Sequence, residues 1–122
     1  MSDDYKLYET LGELMYVVAK ADGIIQKEEV SALQDMLVGH PFGKEIKWSF
    51  DYEKANNSSV EEVYKKVIDF CQHYGPSARY EEFIDAMNIV AKSSVGIDAN
   101  EEAVINSFSA DLIAKFQKDI QA

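Results

Sequence analysis

Val18-Ala19-Lys20-Ala21-Asp22-Gly23-Ile24-Ile25-Gln26-Lys27-Glu28-Glu29-Val30 holds the clearest local signals in the chain. Ahead of it, Leu7, Leu11, Leu14 and Val18 recur one or two helical turns apart and so share one face of a helix. Gly23 then stands where a helix end wants a residue that tolerates positive φ. Ile24 and Ile25 plug the turn. Gln26 is a modest N-cap, but Glu28 and Glu29 fall in a first turn, where negative charge meets the positive end of the helix dipole. Val30, Leu33 and Leu37, with Met36 beside them, continue as a second apolar stripe. The stretch reads as helix, tight turn, helix.

The pattern returns 80 − 8 = 72 positions later without a gap. Tyr8 pairs with Tyr80, Glu9 with Glu81, Met15 with Met87, and Val18-Ala19-Lys20 with Val90-Ala91-Lys92. Ile25 pairs with Ile97 and Glu29 with Glu101, while Leu33 and Met36 fall opposite Ile105 and Phe108. Two copies are too few for a solenoid. The expectation is one domain, residues 1–122, with an internal pseudo-repeat of helical hairpins over 8–37 and 80–109.

The Val18–Val30 motif, a helix ending in Ala-Asp-Gly followed by an apolar residue, a polar cap and Glu, resembles the signature of the TerB-like family. That family is associated with tellurite resistance and is related to the N-terminal region of the DjlA co-chaperones. The resemblance is clearest over 8–37 and 80–112. It implies an all-helical cytoplasmic domain, two related hairpins packed together, and an acidic surface that holds a divalent metal ion. Carried over by position, the acidic residues are Asp22 and Glu29 in the first copy and Glu101 in the second. The second copy has Ser94 where the first has Asp22, so the two turns do not offer the same carboxylates.

At 122 residues and 47% hydrophobic, the chain is long and apolar enough to bury a core. Its net charge is −10, and Arg79 is its single arginine. Such a chain repels phosphate backbones and anionic lipid, and its lysines are scattered among acids, so the expectation is no nucleic-acid partner. Nor is membrane insertion expected, because no segment approaches the roughly 20 apolar residues needed to span a bilayer. Met1 to Tyr5 lacks the basic start and apolar run of a signal peptide. The single Cys71 rules out an intramolecular disulfide. These features point to the cytoplasm.

The expected fold is all-α, a single bundle of six or seven helices. The first runs from a cap at Ser2 to about Ala21 and carries apolar residues on two faces, as a central helix does. The second spans about Gln26 to Val38 and stops before Gly39-His40-Pro41. Phe42 to Asn57 fits two periods. Phe42, Ile46 and Phe50 follow a helix, whereas Ile46, Trp48, Phe50 and Tyr52 alternate like a strand. With no partner strand in the chain, a short helix at Gly43–Phe50 followed by irregular chain is expected. Ser58 or Ser59 caps a helix from Val60 to about Tyr74, and Ser77 caps one from Ala78 to Ser93. Asp98-Ala99-Asn100-Glu101 is a capping box for a last helix, with a break expected near Ser107-Phe108-Ser109.

Asp22 is the best site candidate. A carboxylate at a helix C-terminus faces the negative dipole end, so something must offset it. The simpler account is that it accepts amide hydrogens of the turn. The sharper one joins Asp22, Glu29 and Glu101 around a hard divalent cation. Neither acidic turn is an EF-hand, because the sixth loop position would be Lys27 or Ala103 instead of glycine. Cys71 lies on the apolar stripe, and His73, two residues on, does not face it; a small buried hydrophobe is expected. His40 needs partners that the sequence does not identify. Adjacent acid pairs such as Glu81-Glu82 read as solvated faces. Phe42, Trp48, Phe50 and Tyr52 read first as a satellite core and second as a partner-binding patch.

No enzyme motif is present. The leading expectation is a non-enzymatic TerB-like binding or stress-response module with a divalent cation on its acidic surface. The alternative is a metal-free protein–protein interaction or co-chaperone-type domain that engages a protein partner or forms a homodimer. A small carboxylate-and-metal hydrolase stands behind both.

Overall fold

The computed structural model describes residues 4–21, 25–74, 79–93, 103–104, 106–108 and 110–111. Among the described residues five helices run in order: α1 (Asp4–Lys20), α2 (Lys27–Leu37), α3 (Gly43–Ala55), α4 (Val60–Tyr74) and α5 (Arg79–Ser93). The described residues between 103 and 111 are helical too, and the described residues include no strand. None of these helices is long and apolar enough to cross a membrane. The Asp22-Gly23-Ile24 turn, the Ser2 and Ser77 caps and the Asp98 capping box lie outside the described residues.

The central position of α1 follows from its composition. Leu7, Leu11, Leu14, Met15, Val17 and Val18 are all buried, which covers more than one helical face. The helix packs on α3, α4 and α5 at once, and α2 closes the bundle against α5 and α3. Each such side chain contributes about 2 kcal/mol when taken fully from water. Positions 72 apart on α1 and α5 share their burial: Tyr8 with Tyr80, Met15 with Met87, Val18 with Val90, and Ala19 with Ala91.

Helix α2 is opened by its third residue. The Glu29 carboxylate reaches back and accepts the Gln26 backbone N–H at 2.9 Å, satisfying an amide that the helix start would otherwise leave open. The helix ends in a turn in which Gly39 takes φ of 77°, a conformation natural to glycine. At the α4 start, Ser59 acts as the cap: its carbonyl accepts the Val63 N–H at 3.0 Å and its Oγ lies 3.4 Å from the Glu62 nitrogen.

Residues 43–55 correct the expected short helix and irregular tail, for they form one uninterrupted helix. Its buried positions are Ile46, Ser49, Phe50 and Glu53, a helical spacing in which two members are polar. Both polar side chains find partners. Ser49 Oγ donates to the Glu9 carbonyl on α1, and Glu53 is held by Lys66 and Ser58. Apolar periodicity alone underestimates a helix whose buried face is half polar.

Candidate functional site

Of the three residues expected to hold a cation, the described part of the chain contains Glu29 alone. It is buried at the α2 N-terminus with one carboxylate oxygen on the Gln26 amide. Asp22 and Glu101 lie outside the described residues. Among those described, no three His, Cys, Asp or Glu side chains gather in a way that could hold a metal ion.

The corner where α2 turns into α3 is more distinctive. A groove of about 600 Å³ opens there, with Leu37, Val38 and Trp48 along it and Lys44, Lys47 and Asp51 at its rim. Trp48 is 60% exposed, Tyr52 54% and Val38 82%. The Trp48 and Tyr52 rings stack at 5.5 Å, one helical turn apart, so each limits the other's freedom. The expected satellite core therefore splits. Phe50 enters the main core and Phe42 packs partly buried against it, while Trp48 and Tyr52 stay in solvent. Helix geometry causes the split: with Ile46 and Phe50 pointing inward, positions 48 and 52 must point away.

His40 ties this corner to the bundle. Its Nδ1 accepts the Phe42 backbone N–H at 2.9 Å, which assigns the proton to Nε2, and Nε2 donates to Glu82 Oε1 at 2.8 Å. The other Glu82 oxygen accepts the Tyr8 hydroxyl at 2.8 Å. Tyr8 in turn stacks on Phe42, with ring centroids 4.6 Å apart. Both ring nitrogens of His40 are thus engaged, and the imidazole is a clamp between the α2–α3 turn, α1 and α5. Glu82 keeps much of its side chain in solvent, as its pairing with Glu81 implies, but both carboxylate oxygens are anchored. Sequence spacing gives no sign of this clamp, because 42 residues separate His40 from Glu82. Beyond Leu37 and His40 a second hollow of about 140 Å³ continues past Met36 and Ile89, with Glu82 and Asp85 beside it.

A second polar cluster lies where α1, α3 and α4 meet. Lys66 pairs with Glu13 and, at 2.9 Å, with Glu53, while Ser58 Oγ donates to Glu53 at 2.8 Å. The Ser58 carbonyl accepts the Tyr16 hydroxyl at 2.7 Å. Burial pushes the Glu13 carboxyl above the usual carboxylate range, and Lys66 opposes this without prevailing. Burial also works to raise Glu53, but hydrogen bonds from Lys66, Ser58 and Glu13 outweigh it and hold that group low. Lys66 thus bridges a Glu13 whose carboxyl is raised and a Glu53 whose carboxyl is lowered, a part-buried polar network that fastens three helices.

The two acids act on stability with opposite signs. The raised Glu13 contributes stability that is complete below pH 4.5 and is lost as pH rises through its folded value. The lowered Glu53 contributes stability that is present above pH 4.5 and is lost as pH falls through its folded value. Glu13→Gln, which keeps the neutral shape, is therefore expected to gain melting temperature relative to wild type as pH rises from 4.5 to neutrality. Parallel thermal melts across that range test this, and a constant difference would show that folding does not raise the Glu13 carboxyl.

Cys71 is fully buried, and burial pushes its thiol up to about 12, so it behaves as a core residue and not as a nucleophile. His73 Nδ1 lies 2.8 Å from the Asp69 carbonyl, one turn back along α4, and plays no part at Cys71.

No protein-family model, curated protein or solved structure matches this chain. The TerB-like resemblance rests on the motif residues themselves.

Proposed function

We propose that this chain is a non-enzymatic protein-docking module whose groove at the α2–α3 corner takes an apolar segment of a protein partner. The observation that carries this reading is the Trp48–Tyr52 stack standing in solvent beside Val38 and an open groove. Large apolar patches left in water mark interaction surfaces, and Trp and Tyr dominate binding energy in such surfaces. The His40–Glu82 clamp supports it further, because a groove with fixed walls loses little entropy on binding. The expected outcome of selecting a displayed peptide library on the wild-type protein is a set of amphipathic binders. Trp48→Ala should weaken them by about 2 kcal/mol, roughly thirtyfold, while leaving the melting temperature nearly unchanged. Binders indifferent to Trp48→Ala would place the docking surface elsewhere.

The wider TerB-like reading places this module in a stress-response setting, with related helical hairpins and a divalent cation near Asp22, Glu29 and Glu101. The Val18–Val30 motif and the matched burial of α1 and α5 support it. On that reading, calcium, magnesium, manganese or zinc raises the melting temperature and Asp22→Asn abolishes the rise, since a ligand bound only to the folded state stabilises it. Melts that are identical with chelator and with each ion would remove the cation from the proposal.

A further inference from the structure

The partner chemistry of the groove follows from how charge is divided along it. The large hydrophobic side chains left exposed among the described residues are Tyr5, Val38, Trp48, Tyr52 and Ile89. They are linked through one corner. Val38 and Trp48 line the larger hollow and Ile89 the smaller, and the two hollows adjoin at Leu37 and His40. Tyr52 stacks on Trp48, and Tyr5 packs edge-on against Phe42, whose backbone N–H bonds to His40.

The two halves of this strip carry opposite signs. Beside Trp48 lie Lys44 and the Lys47–Asp51 ion pair, closed at 2.7 Å, so the surplus of one positive charge falls to Lys44. Beside Ile89 lie the acids Glu82 and Asp85. In a chain of net charge −10, a basic half-groove next to an acidic one is a local departure from the general surface. Two copies meeting through most faces would set acid against acid. A two-fold axis passing near Leu37 and His40 instead lays the Trp48 half of each copy on the Ile89 half of the other. It thereby opposes Lys44, the lysine of one half left unpaired among the described residues, to Asp85 of the other twice over. Such an isologous contact satisfies both halves of the strip at once, which a partner of uniform charge cannot do.

We propose that the occupant of the groove is a second copy of this chain, in a two-fold dimer that sets the Lys44–Trp48 half against the Asp85–Ile89 half. This rests on the docking reading above and names its partner. Lys44 and Asp85 are exposed and sit on separate helices, so reversing either charge leaves the core intact.

The test is charge-reversal complementation read by analytical ultracentrifugation, at concentrations up to about 500 µM, where even weak association is visible. Wild type is expected to dimerise. Lys44→Glu alone and Asp85→Lys alone should each weaken the dimer about tenfold or more, because each sets like charges together at two symmetric places. An equimolar mixture of the two variants should recover near-wild-type association as a heterodimer, since every reversed charge then meets its opposite. Circular dichroism of each variant confirms that folding is unchanged. A wild type that stays monomeric, or a mixture that associates no better than either variant alone, would overturn the proposal. Peptide binders that still depend on Trp48 in a monomeric wild type would overturn the dimer and leave the docking reading standing. A dimer indifferent to both charge reversals and to Trp48→Ala would overturn the groove as its interface.

Discussion

Gly12→Ala is expected to destabilise the protein by about 2–3 kcal/mol. Helix propensity alone gives the opposite sign, for replacing glycine by alanine inside a helix is typically worth about 1 kcal/mol in favour of alanine. The difference lies in the packing of α1 on α3. A Cβ on Gly12 would stand 2.2 Å from the Ile46 carbonyl oxygen and 2.9 Å from Ser49 Cβ. The oxygen belongs to backbone and cannot swing aside, so the two helices must separate. That separation also strains the bond from Ser49 Oγ to the Glu9 carbonyl, which depends on the same close approach. Urea unfolding of wild type and variant measures the effect. A variant as stable as wild type, or more so, would mean that α1 and α3 do not meet at this glycine.

Phe83→Ala should cost more, about 3–5 kcal/mol, or roughly 15 °C in melting temperature for a chain of this size. Phe83 is fully buried and lies at the meeting point of three aromatic neighbours. Tyr80 packs edge-on at 5.6 Å, Phe108 stacks at 6.4 Å, and Tyr8 tilts at 6.5 Å. The ring therefore joins α5 to α1 and to the helical residues near 108. Truncation leaves a cavity that these rings fill only by abandoning their own contacts. Ile89→Ala on the same helix is the control, because Ile89 is 46% exposed and outside the core, and it should change stability by about 1 kcal/mol or less. Similar losses at both positions would show that helix propensity, and not core packing, governs α5.

The aromatic run from Phe42 to Tyr52 shows how far the groove was legible in the sequence. Its composition fits both a satellite core and a docking patch. The deciding fact was which face of α3 turns inward, and two polar residues, Ser49 and Glu53, occupy that face. A polar residue reads as outward unless its partner is known. Here the partners sit on other helices: Glu9 and Glu13 on α1, and Lys66 on α4. The anchoring of Glu82 is hidden in the sequence for the same reason, since its partners Tyr8 and His40 are 74 and 42 residues away.

Local sequence accounts for the helical class, the central place of α1, the ends of α2 and α4, and the inert burial of Cys71. These follow from local spacing, from caps and from turn residues, all of which act within a few positions along the chain. Tertiary structure alone decided the full length of α3, the close approach at Gly12, the Glu13–Glu53–Lys66 network and the division of charge along the groove. Each depends on side chains distant in sequence coming within bonding distance, and it is that distance, not residue type, that settles whether a polar group is buried and satisfied or left to meet a partner.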